Sequence, residues 1–364
     1  MEFPSPRCPY TLATMDKPLK KGWTTGACAA GAAKAAWSQL AHGSFPDPVA
    51  VELPRGVVAS FALARAETGP GWARAGIIKD AGDDPDVTHG AEIVVTVVAR
   101  PAGSGLAFQA GPGVGTITLP GLPLAVGEPA INPAPRAQIV ANMEAVKAPV
   151  DARLTIAIPG GEALAAKTMN ARLGIVGGLS ILGTTGVVMP YSCAAWIHSI
   201  HRGIDVARAL RLDHVAASTG RTSEQAVQKM YDLPEQALID MGDFAGPVLK
   251  YLRRHPVERL TIAGGFGKLA KLAAGELDLH SRESKVDVAF LARLLVGTGA
   301  PAALVARAAA SASAAQILAL AQGLPLGDAV ARAARETVMA ALAGNITVDI
   351  AVFDRSGTLI GHAR

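Results

Sequence analysis

The stretch Arg259-Leu-Thr-Ile-Ala-Gly-Gly-Phe-Gly-Lys268 (RLTIAGGFGK) runs from an apolar segment into a glycine pair and on into a helix-forming segment. A short apolar strand, a Gly or Ser/Thr turn and then a helix form the repeating unit of a mostly parallel sheet with helices on both faces. The same succession recurs in LTIAIPGG (154–161), HVAASTG (214–220), ALIDMGDF (237–244) and ITVDIAVFD (346–354). Residues 151–364 therefore read as a Rossmann-like α/β domain. Ligands of such sheets bind beyond the carboxyl ends of the strands, where strand order switches.

Residues 1–150 read differently. A mobile tail is expected first, then an Ala-rich helix over 27–40. Residues 49–66 and 92–100 alternate apolar and polar side chains, and 116–119 makes a further strand. Strands outnumber helices here, which predicts an α+β domain ending near residue 150. A Pro-rich crossing segment at 123–135 leads to a helix over about 136–147, and 302–334 reads as Ala-rich helix.

The chain has 364 residues, 50% hydrophobic and 18% charged, so it is globular and not disordered. Its net charge of +4 is not gathered into a run; Lys20-Lys21 and Arg253-Arg254 are the densest pairs. The basic stripe of a nucleic-acid binder is missing, while a weak positive bias suits a small acidic substrate. Three cysteines, Cys8, Cys28 and Cys193, are odd in number and far apart. They argue for a reducing compartment and against a disulfide framework. The N-terminus has no apolar core of signal-peptide length. Residues 173–197 carry no charge and are long enough to span a bilayer, but their glycines and Pro190 favour a Gly-rich loop before a helix. A cytoplasmic protein without a membrane or nucleic-acid partner is the expectation.

Several motifs carry chemistry. In GWTTGACAA (22–30), Thr24 or Thr25 can cap a helix whose free N–H groups favour an anion, with Lys34 following. An ordinary cap explains the same residues. Cys28, in the first turn, has no His partner in sequence and reads as small packing. IIKDAGDDPDVTHG (77–90) gathers Lys79, Asp80, Asp83, Asp84, Asp86 and His89. Tested as a calcium loop from Asp80 it fails, since Gly82 falls at the third position and the closing Glu is missing. It is either a turn capped by its own acids or a site that handles protons or steadies a cation. GEPAINP (127–133) holds Glu128 and Asn132 in a Pro-stiffened loop, equally readable as a crossing or as a ligand contact.

Four Gly-rich turns follow: 177–186, 217–224, 239–244 with Asp240, and 263–268. None fits G-x-G-x-x-G, and the last misses the P-loop pattern at Ile262 and Leu269. Four such turns at successive strand ends of one sheet point to a bound ligand. His198 and His201 lack companion ligands at metal spacing and read as packing or surface residues, and His280 has a weak claim to a site.

Taken together, GWTTGACAAGAAKAA (22–36), IIKDAGDDPDVTHGAEI (77–93), VGEPAINPAPR (126–136), GGLSILGTTGVVMPYS (177–192), ASTGRTSE (217–224), DMGDFAG (240–246) and IAGGFGKLAKLAAGELDLHS (262–281) resemble the cobalt-precorrin-5B C1-methyltransferase family of cobalamin biosynthesis, the CbiD family. The resemblance runs from about Lys20 to Ser284. It departs at Ala27, where a small hydroxyl residue such as Thr is expected, and this bears on the anion contact at that cap.

The resemblance implies methyl transfer from S-adenosylmethionine to C1 of cobalt-precorrin-5B, giving cobalt-precorrin-6A on the anaerobic, early-cobalt route. Cobalt enters inside the tetrapyrrole substrate, so no metal site on the protein is required. The expected cofactor contacts are Gly183, Thr184, Thr185 and Gly186, Ser218, Thr219 and Gly220, Gly264 and Gly265, with Asp240 on the ribose. Thr24, Thr25, Lys34, Lys79, Arg221 and Lys268 are expected to meet the acetate and propionate arms of the substrate. Asp84 and His89 are the candidates for proton handling or for polarising the ring face. The family looks unrelated to other corrin-ring methyltransferases, so no residue is carried over from those. Two other readings stand beside this one: a nucleotide-dependent kinase, which the failed P-loop counts against, and a corrinoid-binding or scaffolding protein without chemistry. The oligomeric state stays open, with a homodimer among the options.

Overall fold

The computed structural model describes residues 18–364; Cys8 and most of the expected mobile tail lie outside the described residues. The described chain packs into two compact units, 18–192 and 193–364. Both are mixed α/β. The division falls at Ser192/Cys193 and not near 150, because LTIAIPGG joins the first sheet. Its strand, Ala152–Ala157, pairs antiparallel with Glu92–Ala99 and parallel with Leu106–Ala110.

The five-stranded sheet of the N-terminal unit runs Arg65–Gly69, Trp72–Ile78, Glu92–Ala99, Ala152–Ala157, Leu106–Ala110. Alternation puts Ala73, Ala75 and Ile77, then Ile93, Val95 and Val97, then Leu154 and Ile156, into one core. The helix Thr25–His42 shares that core and is buried from Thr25 through Ala33. Its string of Ala and Gly is a packing requirement. A Cβ at Gly31 would fall 2.7 Å from Ile77 Cδ1 and 3.1 Å from Phe61. Residues 173–192 are short strands and turns, Ile175–Val176, Gly178–Leu179 and Val187–Val188, ahead of the helix Cys193–Ala209. No helix among the described residues is long and apolar enough to cross a membrane.

The five-stranded sheet of the C-terminal unit runs Leu238–Asp240, His214–Ser218, Arg259–Gly265, Thr347–Phe353, Leu359–Ala363. The first three joins are parallel and the last is antiparallel. Residues 302–334 form three helices in place of one continuous run: Ala302–Ala309, Ala314–Leu320, and Leu326–Leu342, which carries on beyond 334. Ser313 caps the second with its hydroxyl, and Gly323 (φ 84) with Pro325 interrupts the chain before the third.

At the opposite end of this sheet from its carboxyl strand ends, His214 Nε2 lies 2.7 Å from Thr261 Oγ1, and Arg259 pairs with the buried Asp349. Burial, helped by the Arg259 charge, pulls the His214 imidazole down to about 4. Burial also holds His201 and His362 below the ordinary value. The folded unit thus binds these protons more weakly than the unfolded chain does. Their contribution to stability is expected to be complete above the ordinary histidine value of 6.5 and to fade as the pH falls towards 4. Urea midpoints measured across that range should decline, and His214→Gln should flatten the decline. An unchanged pH slope in the variant would contradict the assignment.

Candidate functional site

In the C-terminal unit three neighbouring parallel strands end close together: Ser218 is in register with Asp240 on one side and with Ala263 on the other, where the strand runs two residues further to Gly265. All three lead to helices whose first turns have no side-chain cap, two of them through a glycine. Gly220 precedes Arg221–Tyr231, and Gly265 precedes Phe266–Ala273. A Cβ at either glycine would meet nothing within 4 Å, so the backbone there is open to a ligand. Uncapped N–H groups at helix starts are donors that favour an electron-rich partner.

The turns brace one another. The N–H groups of Met241 and Gly242 donate to the Ser218 carbonyl at 3.0 and 3.2 Å, and that of Thr219 donates to the Ala263 carbonyl at 2.9 Å. Lys268 Nζ donates to the Thr219 carbonyl at 2.9 Å and lies 3.0 Å from Asp243 Oδ1. Gly264 has to be glycine, since a Cβ would sit 2.9 Å from the Thr219 side chain. Ser218 Oγ is fully buried at the strand end with no partner among the described residues. A buried hydroxyl left unpaired is uncommon in a folded protein and calls for a reason. Asp240, half-buried, ends its strand, and its carbonyl accepts the indole N–H of Trp196 at 3.1 Å. The sequence alone assigns no role to Trp196 or Asp243. Trp196 lay inside an apolar stretch, and only the scarcity of tryptophan could have flagged it.

Of the expected anion contacts here, Arg221 is exposed at the first position of its helix. Lys268 is different. Its ammonium is already met by Asp243 and a carbonyl, which makes it a brace between turns and not a free cation.

Gly183, Thr184, Thr185 and Gly186 do not lie at an end of this sheet; they belong to the N-terminal unit. There the loop lies against the start of the helix Thr25–His42. The N–H of Thr24 donates to the Gly186 carbonyl at 2.9 Å and that of Gly26 to the Leu182 carbonyl at 3.2 Å. Thr24 Oγ1 accepts the Ala27 N–H at 3.2 Å, so Thr24 is the cap and Ala27 costs it nothing. Gly183 (φ 126) approaches so closely that a Cβ would fall 2.4 Å from Thr24 Cβ. The expected anion site at this helix start is thus largely occupied by the chain itself, with Thr24 and Thr25 both buried. Lys34 lies nine positions beyond Thr25, roughly 14 Å along the axis. It donates to the Ala50 carbonyl at 2.7 Å, so it does not share a site with the two threonines.

The acidic stretch is a turn held by its own side chains. Asp80 Oδ1 accepts the Gly82 N–H at 2.8 Å, and Asp86 Oδ1 accepts the Thr88 N–H at 2.7 Å. Lys79, only 2% exposed, directs its ammonium to Asp86 and Thr88. That placement removes it as a contact for substrate carboxylates. Burial pushes the Asp86 carboxyl up, but the Lys79 charge and the hydrogen bonds from Lys79 and Thr88 outweigh it and hold the group below its ordinary range. Asp84 Oδ1 accepts the Tyr191 N–H at 2.7 Å, which ties this turn to the 183–191 segment. His89 Nδ1 accepts the Ala81 N–H at 3.1 Å, which places the proton of the neutral ring on Nε2. The ring itself is exposed.

Two further residues singled out in the sequence, Cys28 and His201, are structural. Cys28 is fully buried, and burial pushes its thiol up to about 12. His201 stacks on Tyr251 with ring centroids 4.0 Å apart.

The C-terminal unit thus gathers parallel strand ends, two glycine-preceded helices and a half-buried carboxylate in one place. Comparison with known proteins narrows this. Residues 12–190 match the family described as CbiD, and residues 278–364 match the CbiD C-terminal domain. The chain is 58% identical over 353 residues to a cobalt-precorrin-5B C(1)-methyltransferase of Paramagnetospirillum magneticum, covering 96% of this chain and 99% of that one. It is 59% identical over 359 residues to the protein of that name from a Bradyrhizobium species, covering 97% and 96%. A crystal structure of a cobalamin biosynthesis protein (cbiD) from Archaeoglobus fulgidus is 30% identical, with 74% of this chain and 85% of that one covered at a TM-score of 0.40. The chain belongs to the CbiD family.

Proposed function

We propose that this protein is an S-adenosylmethionine-dependent methyltransferase that methylates C1 of cobalt-precorrin-5B to give cobalt-precorrin-6A in cobalamin biosynthesis. The observation that carries the reading is identity above 55% over nearly the whole chain to methyltransferases of that name. We read the C-terminal unit as Rossmann-like and its strand ends as the seat of the methyl donor. The open backbone at Gly220 and Gly265, the unpaired Ser218 hydroxyl and the carboxylate of Asp240 suit a polar nucleoside ligand.

When bound, S-adenosylmethionine supplies an electrophilic methyl that bonds to C1 while the electron pair of the broken C–S bond returns to sulfur. The protein's part is orientation and electrostatics. Asp240 accepts the ribose hydroxyls, and the Gly220 and Gly265 turns let backbone approach the ligand. Lys268 and Asp243 lock the Thr219 turn in place. Arg221, exposed beside these turns, is left to meet a carboxylate. With so good a leaving group no strong general base is demanded. Asp84 serves to position the 191 segment, and His89 keeps an exposed ring for the tetrapyrrole face.

The test is release of S-adenosylhomocysteine by the purified protein. Release is expected only when S-adenosylmethionine and cobalt-precorrin-5B are both present. Tight binding of the tetrapyrrole with no release would favour the scaffolding reading instead.

A further inference from the structure

Trp196 stands on the first turn of the helix Cys193–Ala209 and is 46% exposed. A single exposed aromatic needs no explanation in itself. This one is fixed in place. Its indole N–H donates to the carbonyl of Asp240, the last residue of a parallel strand, at 3.1 Å. The ring also lies over the next turn, with indole atoms 3.6 to 3.7 Å from where a Gly242 Cβ would stand. Gly242 is at φ 57, and its N–H is taken by the Ser218 carbonyl, so the turn beneath the indole is tied to the neighbouring strand end.

We propose that Trp196 is the stacking platform for the adenine ring of the methyl donor. The inference rests on the reading that these strand ends hold S-adenosylmethionine, and it adds the residue that recognises the base. In such a nucleoside the base is joined to the same ribose whose hydroxyls Asp240 is assigned to hold. A flat π-face hydrogen-bonded to the backbone of that same residue lies within one sugar's reach of the base. Stacking on an aromatic face needs no particular pattern of donors, which agrees with the lack of a G-x-G-x-x-G fingerprint here. An indole already held by a hydrogen bond loses little freedom when a base stacks on it.

Calorimetric titration with S-adenosylhomocysteine, on the full-length protein without tetrapyrrole, tests this. Trp196→Leu should weaken binding roughly ten- to a hundredfold, the range of one base-stacking contact. Trp196→Phe keeps an aromatic face and should lie much closer to the parent. The indole is exposed, so both variants are expected to fold, which circular dichroism and thermal midpoints check. If the parent binds and the leucine variant binds within twofold of it, the stacking assignment is overturned while the functional reading stands. If the parent itself shows no binding, the functional reading of the strand ends fails, and this inference falls with it.

Discussion

Lys79→Met is expected to destabilise the N-terminal unit by about 3 kcal/mol, the low end for breaking a buried ion pair because Asp86 keeps 24% of its side chain exposed. The lysine is long, fully enclosed and directed to a carboxylate and a hydroxyl within its own loop. Methionine fills the volume but leaves Asp86 without its counter-charge. Asp86 would then keep only the Thr88 hydroxyl and N–H, which cannot neutralise it. The pH response should change as well. In the parent the folded carboxyl lies below its ordinary value of 3.8, so its contribution is complete above that value and lost as the pH falls through its lowered value. In the variant the Lys79 charge and hydrogen bond are gone and only the Thr88 hydrogen bonds oppose burial, so the carboxyl should rise and acid should remove less stability through this group. Urea unfolding from pH 3 to 7, a range set around the usual carboxylate value, measures both effects. Replacing both partners together, Lys79→Met with Asp86→Leu, should restore much of the loss. A single variant as stable as the parent would show that the pair is ornamental.

Asp240→Ala is expected to weaken S-adenosylmethionine binding roughly ten- to a hundredfold, with no change in thermal midpoint beyond a degree or two. Charge-assisted hydrogen bonds from ribose hydroxyls to a carboxylate contribute about 1.5–3 kcal/mol each, and a half-buried strand end lies at the lower end. Asp240→Asn keeps an acceptor without the charge and should fall between the two. The strand itself is held by its register with Ala216, Ala217 and Ser218, not by this side chain. Calorimetry that finds the alanine variant unaltered would remove Asp240 from the site and move the ribose elsewhere.

How far the sequence revealed this arrangement varied from one element to the next. HVAASTG and RLTIAGGFGK each show a strand and the helix after it, because a buried parallel strand is continuously apolar and its turn needs glycine. LTIAIPGG has the same appearance and lies in a different sheet. A short apolar run does not encode which strands it will pair with, and here it inserts between Glu92–Ala99 and Leu106–Ala110 of the first sheet. The 177–186 turn shares the composition of the strand-end turns. Its glycines instead answer to close approach, Gly183 against Thr24 and Gly186 against Leu53. The acidic stretch was legible as a self-capped turn, since Asx turns are local. That Lys79 would be its buried centre was not, because burial of a lysine depends on partners that close over it from both ends of the loop. Trp196 was invisible for a related reason: its hydrogen bond spans 44 positions to Asp240.

The central claim is methyl transfer to one ring carbon, and it is tested most directly by the product itself. Cobalt-precorrin-5B should be incubated with the protein and S-adenosylmethionine carrying a carbon-13 methyl, then analysed by mass spectrometry and carbon NMR. The tetrapyrrole is expected to gain one labelled methyl, located at C1. Recovery of an unlabelled tetrapyrrole beside intact S-adenosylmethionine, from protein shown to bind both, would contradict it.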